Sequence, residues 1–361
     1  MISDLKVLFL PKHSILGASS RYRTFQYLPF LKKKGIFCEV RPLFNEEHLR
    51  YKYKTGENNK LLSLIRIFDR VKVVLFEASS YDLVVIEKEL IPYFPPLLEK
   101  YLIKRNIKYI LDYDDAIWHS YDKNKNFIIK YYRESKIEHL MKNAEAVICG
   151  SDYILNYAKK SESKKTYKIP TVVEMAKYKQ ANNKGIFTIG WIGSPGTSKY
   201  IVEINDILKR ITDEFNVIIN LIGFDRQLEN TLSFNHLIIA WSDDTEIQEL
   251  MKLDIGIMPL SNNLFERGKC GFKLVQYMSS GIPVIASSVG ENNIIIDHEI
   301  NGFLVKNDND WYTYIKYYIE HTEQRKIMGD NALNKAKQHY TLEEKKYEYL
   351  KIIKNTIKKE V

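Results

Sequence analysis

The sequence predicts an α/β protein made of two doubly wound parallel-sheet units in tandem. Three observations predict it. Short apolar runs alternate with loops and helix-spaced segments, in the strand–loop–helix–strand order that implies a parallel sheet. That order starts afresh after a polar, Lys- and Asn-rich stretch from Glu174 to Gly185. The chain of 361 residues is long for one domain and comfortable for two. The expected division is 1–172, 173–340 and a last helix, 341–361, that packs back on the first domain or lies on a membrane.

In the first half, Leu5–Leu10 reads as a strand leading into a loop with Gly17, Ser19, Ser20, Arg21 and Arg23. A helix follows through Phe25, Leu28 and Leu31, with Pro29 inside it and Gly35 ending it, and Ile36–Val40 is the next strand. Loops at the carboxyl ends of such strands carry ligands, so Arg21 and Arg23 stand where an anion binds, or are surface residues of a helix start. Leu61–Phe76 is strongly apolar with Arg66, Arg70 and Lys72 interspersed, which fits a core-facing helix or an amphipathic helix at a bilayer. Asp82–Glu87, Ile107–Asp112 and Ala144–Cys149 read as buried strands, and Ser151-Asp152 caps the following helix. The densest acidic group, Asp112, Asp114 and Asp115 followed by Trp118 and His119, ends the second of these. Carboxylates there serve as a base, orient a hydroxyl, bind a metal, or simply cap a helix.

In the second half, Ile186–Ile192, Val217–Ile222, Leu237–Ala240, Asp254–Met258 and Val284–Ala286 read as strands. Three loops then share one sheet edge: Gly193–Lys199, Trp241–Asp244 and Phe265–Lys273. The first, Gly193-Ser194-Pro195-Gly196-Thr197-Ser198-Lys199, is small, hydroxylated and cationic, as a phosphate cradle is, yet it is neither a Walker A nor a G-x-G-x-x-G loop. The third carries Arg267, Gly268, Lys269 and Gly271 before a short helix from about Lys273 to Ser279, which Gly281 and Pro283 stop. A helix start behind glycines offers unpaired N–H groups to an anion, and Gln276 lies one turn further in. An ordinary solvated connection is the alternative reading of the same residues. Trp311, Tyr314 and Tyr318 share a helix face, and Leu350, Ile353, Ile357 and Val361 form a stripe in the last segment.

Composition narrows the setting. Hydrophobic residues make up 45% and charged residues 27%, which are globular values. No apolar run approaches the roughly 18 residues of a membrane span, and MISDLKVLFLPK is too quickly interrupted for a signal peptide. Cys38, Cys149 and Cys270 are far apart and lack metal-ligand spacing, which favours a reducing cytoplasm over a disulfide frame or a zinc site. Residues 1–172 hold 31 Lys and Arg against 20 Asp and Glu, a balance of +11, while the remainder is at −2. The basic half suits a membrane surface, a lipid phosphate or nucleic acid, or is a solubility feature.

Four stretches together resemble bacterial nucleotide-sugar glycosyltransferases of the GT-B fold, in particular the retaining family four. They are GASSRYR (Gly17–Arg23), LDYDDAIW (Leu111–Trp118), IGWIGSPGTSKY (Ile189–Tyr200) and GKCGFKLVQYMSSGIPVIAS (Gly268–Ser287) with NGFLV (Asn301–Val305) after it. The resemblance implies two Rossmann-like domains with a cleft between them. It implies sugar transfer from a UDP- or GDP-sugar to an acceptor hydroxyl, with retention and with no metal or other cofactor. By this analogy Gly193, Ser194, Thr197, Lys199, Trp241, Glu266, Gly268, Lys269, Lys273 and Gln276 bind the donor. Asp114, Asp115 and His119 handle the acceptor hydroxyl, and Arg21 and Arg23 meet a phosphate of donor or acceptor. The family's two glutamates, eight positions apart, fall here on Gly268 and Gln276, and Glu266 stands two residues from the first. The implied partners are a nucleotide sugar and a lipid-linked or polysaccharide glycan, with the inner membrane surface as a further candidate and no nucleic acid. The implied location is cytoplasmic, with peripheral attachment left open. A nucleotide-sugar epimerase on the same fold and a non-catalytic glycan- or partner-binding protein are the alternatives.

Overall fold

In the computed structural model of the protein the described residues are 5–122, 136–181 and 185–357. They form two compact units. The first comprises Met1–Thr171, Gly268–Cys270 and Glu344–Val361, and the second Val172–Arg267 and Gly271–Glu343.

The first unit holds a parallel six-stranded sheet: β1 (Leu5–Leu10), β2 (Ile36–Val40), β3 (Leu83–Glu87), β4 (Tyr109–Tyr113), β5 (Ala146–Cys149) and β6 (Thr166–Lys168), in the order β2-β1-β3-β4-β5-β6. β3, β4 and β5 are buried along their whole length, as their unbroken apolar runs require of strands covered on both faces. Phe9 pairs with Val40 on one side and Val85 on the other, and Glu87 pairs with Asp112. Connections diverge between β1 and β3, so ligand chemistry is expected beyond their carboxyl ends. The loop after β1 is shorter than the sequence suggests. A helix, Ala18–Arg23, follows Gly17 directly, and Pro29 sits in the first turn of a separate helix, Leu28–Lys33, where it costs no hydrogen bond. β6, a half-buried Thr-Tyr-Lys strand, has no apolar signal and was not anticipated.

The second sheet contains β7 (Phe187–Ile192), β8 (Val217–Ile222), β9 (His236–Ile239), β10 (Ile255–Met258), β11 (Val284–Ser287) and β12 (Gly302–Val305), ordered β12-β11-β10-β7-β8-β9. All its pairs are parallel, and the switch point lies between β7 and β10. The helix Phe272–Ser279 sits over it. The Tyr277 ring lies where a Cβ on Gly256 would be, 2.4 Å from the ring atoms, and its hydroxyl accepts from Ile192 N–H at 2.8 Å.

The last helix, Leu342–Ile357, belongs to the first unit from Glu344 onward. Tyr349 stacks on Tyr27 with ring centroids 4.4 Å apart, Leu350, Ile352 and Ile353 are buried, and Lys108 Nζ donates to the Thr356 carbonyl at 3.1 Å. Ile357 continues this stripe, whereas Val361 lies outside the described residues. Truncating the fully buried Ile353 to Ala is expected to cost about 2–5 kcal/mol. Denaturant unfolding of the full chain checks this, and an unchanged midpoint would contradict the packing.

Candidate functional site

Two groups of polar residues stand at the carboxyl edges of the two sheets. In the second unit the chain leaves β7 at Gly193. A Cβ there would fall 2.3 Å from the Trp191 ring and 2.8 Å from Thr197 Oγ1, so the tight turn needs glycine. The Gly193 N–H is bonded to the Ile222 carbonyl at 2.9 Å and the Ser194 N–H to Thr197 Oγ1 at 3.2 Å. Both amides thus have partners within the second unit. Lys199 opens the following helix with an exposed side chain, its Nζ 3.9 Å from Glu266 Oε1 and 4.8 Å from the Tyr200 ring centroid.

Gly271 caps the helix Phe272–Ser279 at φ 64°, a left-handed conformation that favours glycine. Lys273 is thereby placed in the first turn. Its Nζ lies 3.3 Å from Thr197 Oγ1 and 4.4 Å from the Trp191 ring centroid. Two loops far apart in sequence thus contribute a cation and a hydroxyl to one spot. Glu266 is buried; one carboxylate oxygen accepts from the Tyr200 hydroxyl, and the other, Oε2, has no hydrogen-bond partner among the described residues.

Gln276 is buried too, and its Nε2 donates to Glu246 Oε1 at 2.7 Å. The Trp241 indole N–H donates to the other oxygen of Glu246. Sequence reasoning missed Glu246. It places a carboxylate beside the glutamine that stands where a glutamate was expected. The run Asp243-Asp244-Thr245-Glu246 held the signal, but the loop reads only as far as Asp244. Gly268 and Lys269 group with the first unit instead of the second. A Cβ on Gly268 would lie 2.2 Å from Ala116 Cβ, and Cys270 Sγ donates to the Asp114 carbonyl at 2.8 Å.

In the first unit, β3 runs into Lys88, a second residue the sequence reading missed. Lys88 has φ 65°, a conformation that costs a side-chain-bearing residue on the order of 1–3 kcal/mol, and its N–H continues the ladder to the Asp112 carbonyl at 2.9 Å. Its buried Nζ sits 2.8 Å from Asp114 Oδ1 and 2.9 Å from Asp115 Oδ2. Ser19 donates to the other oxygen of Asp114. Burial alone lowers the Lys88 pKa, but Asp114, Asp115 and Glu87 outweigh it and hold the ammonium protonated. Burial likewise pushes the Asp115 carboxyl up, while Lys88 and then Lys269 pull it well below the usual carboxylate range. Glu87 is buried next to Asp112, and burial raises its pKa. The signal for Lys88 was Glu87-Lys88-Glu89, three charges directly after an apolar strand.

Arg23 and His119 are both engaged with partners inside the first unit. Arg23 is buried, with Nε 2.8 Å from Asp112 Oδ1 and Nη1 2.7 Å from the Ile169 carbonyl. Burial lifts Asp112 to about 7 against the pull of Arg23. This pair ties the first helix to β4 and leaves Arg23 turned inward. The His119 Nε2 accepts from the Trp118 indole at 3.0 Å and lies 2.8 Å from the Tyr153 hydroxyl, so that nitrogen is occupied. Arg21 is largely buried, its guanidinium 4.8 Å from the Tyr22 ring centroid. Among the described residues no three His, Cys, Asp or Glu side chains are grouped as a metal site.

Residues 184–321 match the family profile described as Glycosyl transferases group 1. The chain is 28% identical over 151 residues to the Escherichia coli UDP-Gal:alpha-D-GlcNAc-diphosphoundecaprenol alpha-1,3-galactosyltransferase; the match covers 38% of this chain and about a third (35%) of that relative. Sucrose-phosphate synthase from Thermosynechococcus elongatus superposes with a TM-score of 0.74 at 14% identity, over 97% of this chain and 98% of that one. Anabaena HepE in complex with UDP-glucose gives 0.67 at 17% identity, over 97% and 100%. The chain has the GT-B fold of glycosyltransferases. The residues that match the profile fall in the second unit, apart from Gly268–Cys270.

Lys88 makes a sharp prediction about charge. A carboxyl whose folded pKa is depressed stabilises the fold above its unfolded value, here near 3.8, and that contribution is lost as pH falls through the folded value. Lys88→Met removes the nearest cation, so the Asp115 titration is expected to move upward. Carboxyl-carbon NMR follows it; an Asp115 that titrates at the same pH in both proteins would show that Lys88 does not set its charge.

Proposed function

We propose that the chain transfers a sugar from a UDP- or GDP-sugar to a hydroxyl of a lipid-linked or polysaccharide glycan, with retention of anomeric configuration and without a divalent metal. The observation that carries this reading is the meeting of Lys273 with Thr197 beside Trp191, next to the exposed Lys199. Two cations at the switch point of a parallel sheet suit a diphosphate. The family match of the second unit supports a nucleotide-sugar donor, as does the UDP-glucose held by Anabaena HepE. The named acceptor of the Escherichia coli relative, a diphosphoundecaprenol-linked GlcNAc, supports a lipid-linked glycan.

In this reading Lys199 and Lys273 stabilise the negative charge that grows on the departing nucleoside diphosphate. Such fixed charges act without reorganisation in a partly desolvated site. Trp241, held by Glu246, lines the base, and the Gln276–Glu246 pair faces the ribose hydroxyls. Glu266 grips the transferred sugar through its unsatisfied oxygen. The acceptor hydroxyl attacks the anomeric carbon from the face the phosphate leaves. The sugar–phosphate C–O bond breaks, and the hydroxyl proton passes to a phosphate oxygen. Asp114 and Asp115, with their geometry fixed by Lys88, orient that hydroxyl, and Arg21 meets an acceptor phosphate. Lys269 belongs to the same acidic neighbourhood.

Lys273→Ala tests the donor half of the reading. A charge-assisted contact is worth about 1.5–3 kcal/mol, so affinity for UDP or GDP should fall about tenfold or more in calorimetry. An unchanged affinity removes Lys273 from the site. Incubation with a panel of UDP- and GDP-sugars and a lipid-linked acceptor extract should release the nucleoside diphosphate only when both are present. Product formed with no acceptor added would point instead to epimerisation.

A further inference from the structure

The helix Lys60–Lys72 is built inside out for a purely structural helix. Its inward face is anchored by a cation: Arg70 is buried, and its Nη2 donates to the Pro11 carbonyl at 2.9 Å and the Arg41 carbonyl at 2.8 Å. Ile67 and Val71 pack on the core from the same side. Leu61, Leu64, Ile65 and Phe68 recur at i, i+3, i+4 and i+7, which is one stripe, and that stripe faces solvent. Leu61 and Phe68 are each 70% exposed, and Phe76, in the following turn Val73–Glu77, is 74% exposed. Single exposed apolar residues are ordinary; a run of large ones on one helix marks a surface that something covers.

The surrounding charge says what covers it. Lys54, Lys60 and Lys72 are exposed, and none has an ion-pair partner among the described residues. Residues 50–72 hold seven Lys and Arg against two Asp and Glu. A water-exposed apolar stripe with unpaired lysines at both ends matches acyl chains beneath anionic headgroups, where each half offsets the other's exposure. Among the described residues no helix is long and apolar enough to cross a membrane, so the contact is one of surface docking.

We propose that this helix docks the first unit on an anionic lipid bilayer. It lies in the headgroup plane, with Leu61, Leu64, Ile65, Phe68 and Phe76 toward the acyl chains and the three lysines among the phosphates. The test uses the full chain and sedimentation with vesicles of phosphatidylcholine, with and without phosphatidylglycerol. The chain should pellet with the anionic vesicles and weaken as salt rises. Leu64→Ser with Phe68→Ser, and separately Lys54→Gln with Lys60→Gln and Lys72→Gln, should each reduce binding about tenfold or more while the melting temperature holds. Three results overturn the proposal. One is no co-sedimentation, another is equal binding by the variants. The third is a chain that self-associates in analytical ultracentrifugation and becomes monomeric on Leu64→Ser with Phe68→Ser, since a second copy then covers the stripe. The vesicles contain no glycan, so the outcome is independent of the transferase reading.

Discussion

Tyr277 fixes the geometry on which the second unit's chemistry depends. Its ring occupies the space that Gly256 leaves open on β10, and its hydroxyl accepts the Ile192 N–H at the end of β7. One side chain therefore clamps the helix Phe272–Ser279 across the two strands where the sheet's connections diverge. A helix held there must present its first turn to the loop after β7. Lys273 and Gln276 inherit their positions from that clamp, and Gly271 supplies the left-handed residue that lets the chain enter it. A parallel sheet of this order leaves few other places for a ligand.

The first unit is organised by buried charge. Arg23 with Asp112, and Lys88 with Asp114 and Asp115, lie at the carboxyl ends of neighbouring strands. Removing one member of a buried pair strands the other and costs about 3–5 kcal/mol. The two groups differ in what they leave accessible. Arg23 and Asp112 are closed off and serve the fold. Asp115 keeps about 29% of its side chain exposed, and its carboxylate is held ionised by Lys88 and Lys269. A charged, oriented, partly exposed carboxylate is the kind of group that can direct a hydroxyl.

How much of this was legible in the sequence follows from what each feature depends on. Strands such as Leu83–Glu87 and Phe187–Ile192 announce themselves because burial on both faces demands unbroken apolar runs. β6 and β12 do not: the first is Thr-Tyr-Lys at a sheet edge, and the second is Gly302–Val305, four residues that read only as part of a motif. Glycines at tight turns and lysines at helix starts were visible because their local chemistry is diagnostic. Lys88 and Glu246 were not, since their importance comes from the strand and loop beside them. Arg23 shows the converse. An arginine near a ligand-facing loop looks available until its partner, Asp112, is placed 89 residues away.

In the proposed function the second unit grips a nucleoside diphosphate between Lys199 and Lys273. A crystal structure of the full chain with UDP or GDP tests it most directly. The diphosphate is expected within hydrogen-bond reach of Lys199 Nζ and Lys273 Nζ, with the base beside Trp241. A nucleotide bound with its phosphates away from both lysines would contradict it.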